Sequence, residues 1–128
     1  MKNLLFVMTG GAGGAALRYG ISLLCKCWRL TALPVATFTV NILGCFLLGL
    51  LIGLGSRYAH FSGPAYLMLT VGFCGAFTTF STFSADTFRL IGNGQCWMAL
   101  LYLLASIIIG FGLFYLGIKC TGAQSFKI

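Results

Sequence analysis

Acidic residues are almost absent from this chain: Asp86 is the one carboxylate in 128 residues, and His60 is the one histidine. Enzymes that use nucleophilic or general acid–base chemistry place a nucleophile or an acid beside a matched base. No such pair can be assembled here, so the sequence predicts a protein that is not an enzyme. Charged residues make up 7% of the chain, whereas soluble domains carry about 25%.

The chain has six cysteines, but their spacing does not indicate a metal site. Cys25 and Cys27 are separated by one residue rather than two, and the histidine lies far from both. This spacing is typical neither of zinc sites nor of redox motifs. Free cysteine packs as a small hydrophobe, so we expect all six to fill space between apolar helices. The others are Cys45, Cys74, Cys96 and Cys120.

Long apolar runs dominate the chain, of which 59% is hydrophobic. Four runs have about the ~20 residues that a helix needs to cross a bilayer, at roughly 4–25, 33–55, 63–91 and 96–118. The first run is long and has no clear cleavage site, so we expect a retained helix rather than a signal peptide. The sequence thus predicts an all-α integral membrane protein, with residues 1–128 forming a single four-helix membrane domain.

The third span is too long for one straight helix, and Gly72 and Gly75 interrupt it. We expect the backbone to break at these glycines, near the middle of the span. Backbone groups freed at that depth need a partner from protein, water or an ion. Freed N–H groups suit an anion, whereas freed carbonyls suit a cation, and the sequence leaves both possibilities open.

Hydroxyl side chains are concentrated just after these glycines, although lipid-exposed helices normally avoid unpaired polar groups. A continuous helix would present a hydroxyl face and a phenyl face. The first holds Thr78, Ser81 and Thr82, and the second holds Phe80, Phe83 and Thr79. A phenyl ring has a positive edge, so two rings presented edge-on can attract a small anion. The alternative is that both rings pack against lipid or helices.

Other polar side chains lie within the second and fourth spans. Asn41 is near the middle of span two, where its amide can donate two hydrogen bonds and accept at its oxygen. It can either donate to a passing anion or join two helices, as asparagine often does in membranes. Tyr102 and Ser106 are four residues apart in span four, so they share one helix face and can extend a track of donors.

Basic residues give the chain a net charge of +7, and they mostly flank the apolar spans. They are therefore expected to anchor the protein at the membrane edges rather than to bind nucleic acid. Four spans place Lys2, Arg57, Lys119 and Lys127 on one face, and Lys26, Arg29 and Arg89 on the other. Because lysine and arginine bias sets orientation, this near balance predicts insertion in both directions and an antiparallel homodimer. The alternative is that other features fix the orientation.

Small residues are spaced for close contact between helices. Gly10 and Gly14 in span one, and Gly49 and Gly53 in span two, are each four residues apart. Glycines at this spacing allow two helix backbones to approach closely. The glycine-rich stretch 10–16 also fits a dinucleotide-binding pattern, but no strand precedes it, so that interpretation is rejected.

Motifs in three spans resemble the Fluc (CrcB) family of fluoride channels. Span one has Gly10-Gly11-x-Gly13-Gly14-Ala15-x-x-Arg18-Tyr19, span two has Thr37-x-Thr39-Val40-Asn41-x-x-Gly44, and span three has Gly72-Phe73-Cys74-Gly75-x-x-Thr78-Thr79-Phe80-Ser81-Thr82-Phe83. The third motif is long and specific. One departure is Asp86, where many relatives are expected to carry glutamate.

The resemblance implies passive export of fluoride through an antiparallel homodimer with two pores, in a bacterial plasma membrane. It implies pore roles for Asn41, Phe80, Phe83, Ser81, Thr82 and Tyr102, with a looser match at Ser106. Arg18 matches a basic residue near the vestibule. Gly75 and Thr78 match positions whose backbone carbonyls hold a structural Na+ at the dimer centre.

Two other functions are compatible with a small membrane protein. A dual-topology multidrug or cation antiporter usually needs a carboxylate within the membrane for proton exchange, and only Asp86 is available, near the far end of span three. A structural subunit without transport activity is the second. The Asp86→Asn variant discriminates the antiporter from a channel, and activity of the purified protein alone excludes a structural subunit.

Overall fold

Helices make up almost all of the structure, a computed structural model that describes residues 1–28, 34–58, 61 and 63–123. Helix α1 is Lys2–Cys27, α2 is Val35–Arg57 and the last helix, α5, is Cys96–Cys120. The third span is divided into α3 (residues 64–77) and α4 (Phe80–Gly92). Within α3, Met68–Cys74 is π-helical. Three residues used in the sequence argument, Arg29, His60 and Lys127, lie outside the described residues.

Four of these segments are long and apolar enough to cross a membrane: Lys2–Cys27, Val35–Arg57, Pro64–Gly92 and Cys96–Cys120. Their ends agree with the expected ones to within two residues. The turn between α4 and α5 is short because Gly94 adopts a positive φ of 75°, which glycine tolerates without a steric penalty. The predicted all-α fold with four membrane-spanning segments is confirmed.

Two pairs of helices hold the subunit together, and glycine lies at the contact in both. Helix α1 packs along α3, and α2 packs along α5. A Cβ atom added at Gly14 would collide with the backbone carbonyl of Phe73, and one added at Gly49 would collide with that of Phe114. The two glycine pairs predicted from spacing therefore make close helix contacts within one subunit. Gly117 allows the same approach from the α5 side.

The third span breaks at Thr78 and Thr79, and the prediction of a break at Gly72 to Gly75 is wrong. Thr78 has φ −78° and ψ 158°, and Thr79 has φ −150° and ψ 121°, which are extended conformations. Gly72 is helical because it is used for packing: a Cβ at that position would lie 2.6 Å from the carbonyl oxygen of Val7. The break is still near the middle of the span, as expected.

Replacing Gly14 by alanine is expected to destabilise the protein, because overpacking of a close contact costs about 1–3 kcal/mol. The temperature of unfolding in detergent measures this loss. Gly20→Ala in the same helix is the matched control, since no atom lies within 4 Å of its Cβ position. Equal destabilisation by both substitutions would contradict the close-packing interpretation.

Candidate functional site

The backbone break is bridged by the side chain of Asn41 from α2. Asn41 Nδ2 donates to the carbonyl oxygen of Thr79 over 3.1 Å, and the N–H of Thr79 donates to Asn41 Oδ1 over 2.8 Å. The amide thus satisfies both backbone groups of one extended residue, which have no helical partner. In a membrane interior, each such group left unpaired is costly. Asn41 is therefore the residue that makes the break tolerable at this depth.

One face of α2 follows the third span on both sides of the break. Thr37, Asn41 and Gly44 are spaced at i, i+4 and i+7, so they lie on the same helix face. Thr37 Oγ1 donates to Asp86 Oδ2 over 2.6 Å. A Cβ atom at Gly44 would collide with the methyl group of Thr78. This face therefore combines two polar contacts with the space that the break requires.

Helix α3 ends at the break with its carbonyl groups partly satisfied. The Cys74 carbonyl accepts from the N–H of Thr78 and from Thr78 Oγ1, each over 3.0 Å. Arg18 Nε, from α1, donates to the carbonyl oxygen of Ala76 over 3.1 Å. Among the described residues, the carbonyls of Gly75 and Thr78 have no hydrogen-bond donor. A helix C-terminus carries partial negative charge, so these oxygens are suited to a cation.

Helix α4 begins at the same depth with a cluster of hydroxyls. Thr79 caps the helix, and its Oγ1 accepts from the N–H of Thr82 over 3.3 Å. Thr79 Oγ1 also donates to Thr82 Oγ1 over 3.1 Å and lies 3.3 Å from Ser81 Oγ. The assignment of Thr79 to the phenyl face is wrong, because the break interrupts the helical periodicity from which it was derived. A helix N-terminus carries partial positive charge, so this end is suited to an anion.

Aromatic rings continue from the break along α4 towards α5. The ring centroids of Phe80 and Phe83 are 5.9 Å apart, and those of Phe83 and Tyr102 are 5.0 Å apart. Phe38 continues the series, 6.4 Å from Tyr102. Phe80 is 80% exposed in the single subunit, whereas Phe83 is partly buried. The rings thus lead from the subunit surface at the break into its interior.

A groove of about 530 Å³ opens beside the break and brings most of the predicted site residues together. It is lined by Asn41, Gly75, Thr78, Thr79, Phe80, Phe83 and Ser106 among others. Among the residues that the structure describes, no carboxylate, histidine, lysine or arginine lines this groove. Any ion in this groove would therefore be coordinated by amides, hydroxyls, backbone groups and ring edges.

Two hydroxyls on α5 are buried without hydrogen-bond partners among the described residues. They belong to Tyr102 and Ser106. A buried hydroxyl in an apolar environment is costly unless something pairs with it. Ser106 lines the 530 Å³ groove, whereas Tyr102 lines a separate groove of about 300 Å³ with Phe38 and Leu90. Of the two, only Ser106 belongs to a residue that lines the groove beside the break.

The single carboxylate lies one turn beyond the rings and is already paired. Asp86 accepts from Thr37, and its Oδ1 lies 3.3 Å from Arg89 Nη2. The carboxylate therefore has two partners, a hydroxyl from α2 and a guanidinium one turn further along its own helix.

The structure leaves Ser81 and Thr82 exposed on the subunit surface, and it places Arg18 against α3. The sequence argument missed the contacts of Thr37 and Gly44. Thr37, Asn41 and Gly44 are spaced so that they share one helix face. This spacing could have predicted that Thr37 and Gly44 contact the same span as Asn41. The position of Ala76 relative to Arg18 had no sequence signal, because the contact joins residues 58 positions apart.

Asn41→Asp is expected to destabilise the break. A carboxylate can accept from the N–H of Thr79 but cannot donate to its carbonyl, and a buried acceptor left unpaired costs about 1–3 kcal/mol. Faster amide exchange in peptides covering residues 76–82, together with a lower unfolding temperature, measures the effect. Asn93→Asp, in the exposed turn before α5, is the control. Unchanged exchange in Asn41→Asp would exclude the bridging role.

The chain is similar in sequence to proteins of one known family. A family model described as CrcB-like protein, Camphor Resistance (CrcB), matches residues 5–118. A fluoride-specific ion channel of Thermus thermophilus is 42% identical over 123 residues, covering 96% of this chain and 98% of the relative. Those of Phocaeicola vulgatus and Chloroflexus aurantiacus are 42% and 44% identical, each over 110 residues, 86% of this chain and 90% and 87% of the relatives.

These relatives are named as ion channels, which are not enzymes, in agreement with the absence of an acid–base pair in the sequence. Their similarity extends over 86–96% of this chain and 87–98% of the relatives. Together with the four membrane-spanning helices, the match to the family model over residues 5–118 shows that this multi-pass membrane protein belongs to the CrcB-like family.

Proposed function

We propose that this protein is a passive, fluoride-selective channel that exports fluoride across a bacterial plasma membrane and so relieves fluoride toxicity. The observation that carries the proposal is the N-terminus of α4, which begins at mid-span with the hydroxyls of Thr79, Ser81 and Thr82. A helix N-terminus with nearby donors is a general anion site. The names of the relatives supply the identity of the anion.

Fluoride is small and strongly hydrated, so a pore must replace its water with good hydrogen-bond donors. The second amide hydrogen of Asn41 is one such donor, because among the described residues its Nδ2 donates to Thr79 alone. The hydroxyls of Ser81, Thr82, Tyr102 and Ser106 are others. The positive edges of Phe80 and Phe83 add attraction without a formal charge. Because these donors carry no formal charge, they can bind an ion yet allow it to leave.

A second copy of the chain is the partner that this surface requires. Phe80, Ser81 and Thr82 are exposed in the single subunit, at the middle of a membrane span, where exposed polar groups would otherwise face lipid. The near balance of Lys and Arg between the two faces supports an antiparallel arrangement. We propose that two antiparallel copies cover these surfaces and form two pores lined by both subunits.

A structural Na+ at the dimer centre fits the end of α3. The carbonyls of Gly75 and Thr78 lack donors among the described residues, and a Cβ atom added at Gly75 would meet nothing within 4 Å. Backbone carbonyls at a half-helix C-terminus are suitable Na+ ligands. The same two carbonyls from each of two subunits would hold the ion, whose charge offsets anion repulsion in the pores.

Fluoride efflux from liposomes tests the function. Purified protein is reconstituted into vesicles loaded with KF or KCl, a K+ ionophore is added, and electrodes follow release of each anion. Rapid fluoride efflux with little chloride efflux, in the absence of a proton gradient, is the expected result. Fluoride movement only with a proton gradient would indicate an antiporter, and no anion movement would leave a structural subunit.

Phe80→Ile and Phe83→Ile are each expected to slow fluoride efflux by about tenfold, since ring-edge interactions are worth about 0.5–1.5 kcal/mol. Isoleucine keeps apolar bulk but has no ring edge. Phe88→Ile is the matched control, because Phe88 is on the same helix and is 75% exposed, compared with 80% for Phe80. If all three variants conduct at the rate of the unmodified protein, the rings serve packing alone.

A further inference from the structure

Arg18 lies on the face of α1 that packs along α3. Gly10, Gly14 and Arg18 are each four residues apart and therefore share one helix face. The two glycines allow α1 to approach the backbone of α3 at Met68 and Phe73. Beyond them Arg18 Nε donates to the carbonyl oxygen of Ala76 over 3.1 Å. Helix α1 thus follows α3 up to its last turn and ends the contact with a cation.

In the part of the chain that the structure describes, the carbonyl of Ala76 at the end of α3 is the hydrogen-bond partner of the Arg18 guanidinium. Among the described residues, the single ion pair joins Asp86 to Arg89, so no carboxylate neutralises Arg18. Its side chain is partly buried. A helix C-terminus carries about half a negative elementary charge, concentrated in its last turn. Hydrogen bonds that involve a charged donor are also stronger than neutral ones.

We propose that Arg18 is a positioning residue: its charged hydrogen bond to Ala76 holds the last turn of α3 in place and so fixes the carbonyls of Gly75 and Thr78 at the break. The regular α-helical bonding of α3 is interrupted by a π-helical segment, Met68–Cys74, just before this turn. Since α3 ends three residues later, an external bond is the means by which its last turn is held against α1.

This role differs from that of a vestibule charge that attracts anions from solution. A vestibule charge acts at long range, and salt screens it within about 8–10 Å at physiological ionic strength. Its loss would lower the apparent affinity for fluoride and leave the rate at saturation unchanged. A positioning bond acts on the structure of the break, so its loss lowers the maximal rate, and salt does not restore it.

Two variants of Arg18 separate charge from geometry. Arg18→Gln keeps a polar side chain but removes the positive charge, whereas Arg18→Lys keeps the charge on a different donor. Lys26→Gln, near the end of the same helix and exposed, is the control for a general loss of positive charge. Each protein is measured in two ways: fluoride efflux at low and saturating fluoride and at low and high salt, and amide exchange in peptides covering residues 72–82.

For Arg18→Gln we expect about a tenfold fall in the maximal efflux rate at both salt concentrations, as for loss of a charge-assisted bond. Faster exchange around Gly75 to Thr79 should accompany it. Arg18→Lys should recover most of both properties, and Lys26→Gln should match the unmodified protein. The proposal is overturned if Arg18→Gln shows unchanged exchange, or if its rate equals that of the unmodified protein at saturating fluoride or at high salt.

The efflux measurement rests on the proposed channel function, but the exchange measurement does not. If the unmodified protein released no fluoride, the channel proposal would fail, and exchange in the same samples would still decide whether Arg18 holds the end of α3. If the channel conducts and exchange is insensitive to Arg18, the channel proposal stands and the positioning role is excluded.

Discussion

Every other feature of the site depends on satisfying the backbone of Thr79 inside the membrane. An extended residue in the middle of a span exposes an N–H and a carbonyl where water is scarce. Asn41 pairs with both, and this allows the span to end one helix and begin another at the same depth. The result is a negative helix end and a positive helix end side by side, a few residues from each other.

Close glycine contacts provide the frame that keeps these two ends in register. Helix α1 lies against α3 through Gly10, Gly14 and Gly72, and α2 lies against α5 through Gly49 and Gly117. In a membrane, apolar side chains gain little by leaving lipid, so packing between backbones and interhelical hydrogen bonds supply the specificity. These close contacts position α2 to bond with Thr79 and Asp86, and α1 to bond with Ala76.

Prediction from the sequence succeeded for features that depend on local composition and spacing. It failed for features that depend on contacts between helices. Hydropathy located the four spans, and glycine spacing predicted close helix contacts. The break was misplaced because glycines usually mark irregular backbone. Here Gly72 allows a neighbouring helix to approach, and two threonines adopt the extended conformation. The helical wheel then misassigned Thr79, since periodicity does not continue through a break.

The amino-acid sequence by itself determined the membrane class, the number of spans, the absence of acid–base chemistry and the family, because composition and motif content do not depend on how helices meet. Only the tertiary structure decided that Asn41 bonds to Thr79, that Thr37 bonds to Asp86 and that Arg18 reaches Ala76. These bonds join residues 38 to 58 positions apart. Helix packing selects such partners, and no local pattern in the chain encodes which residues will meet.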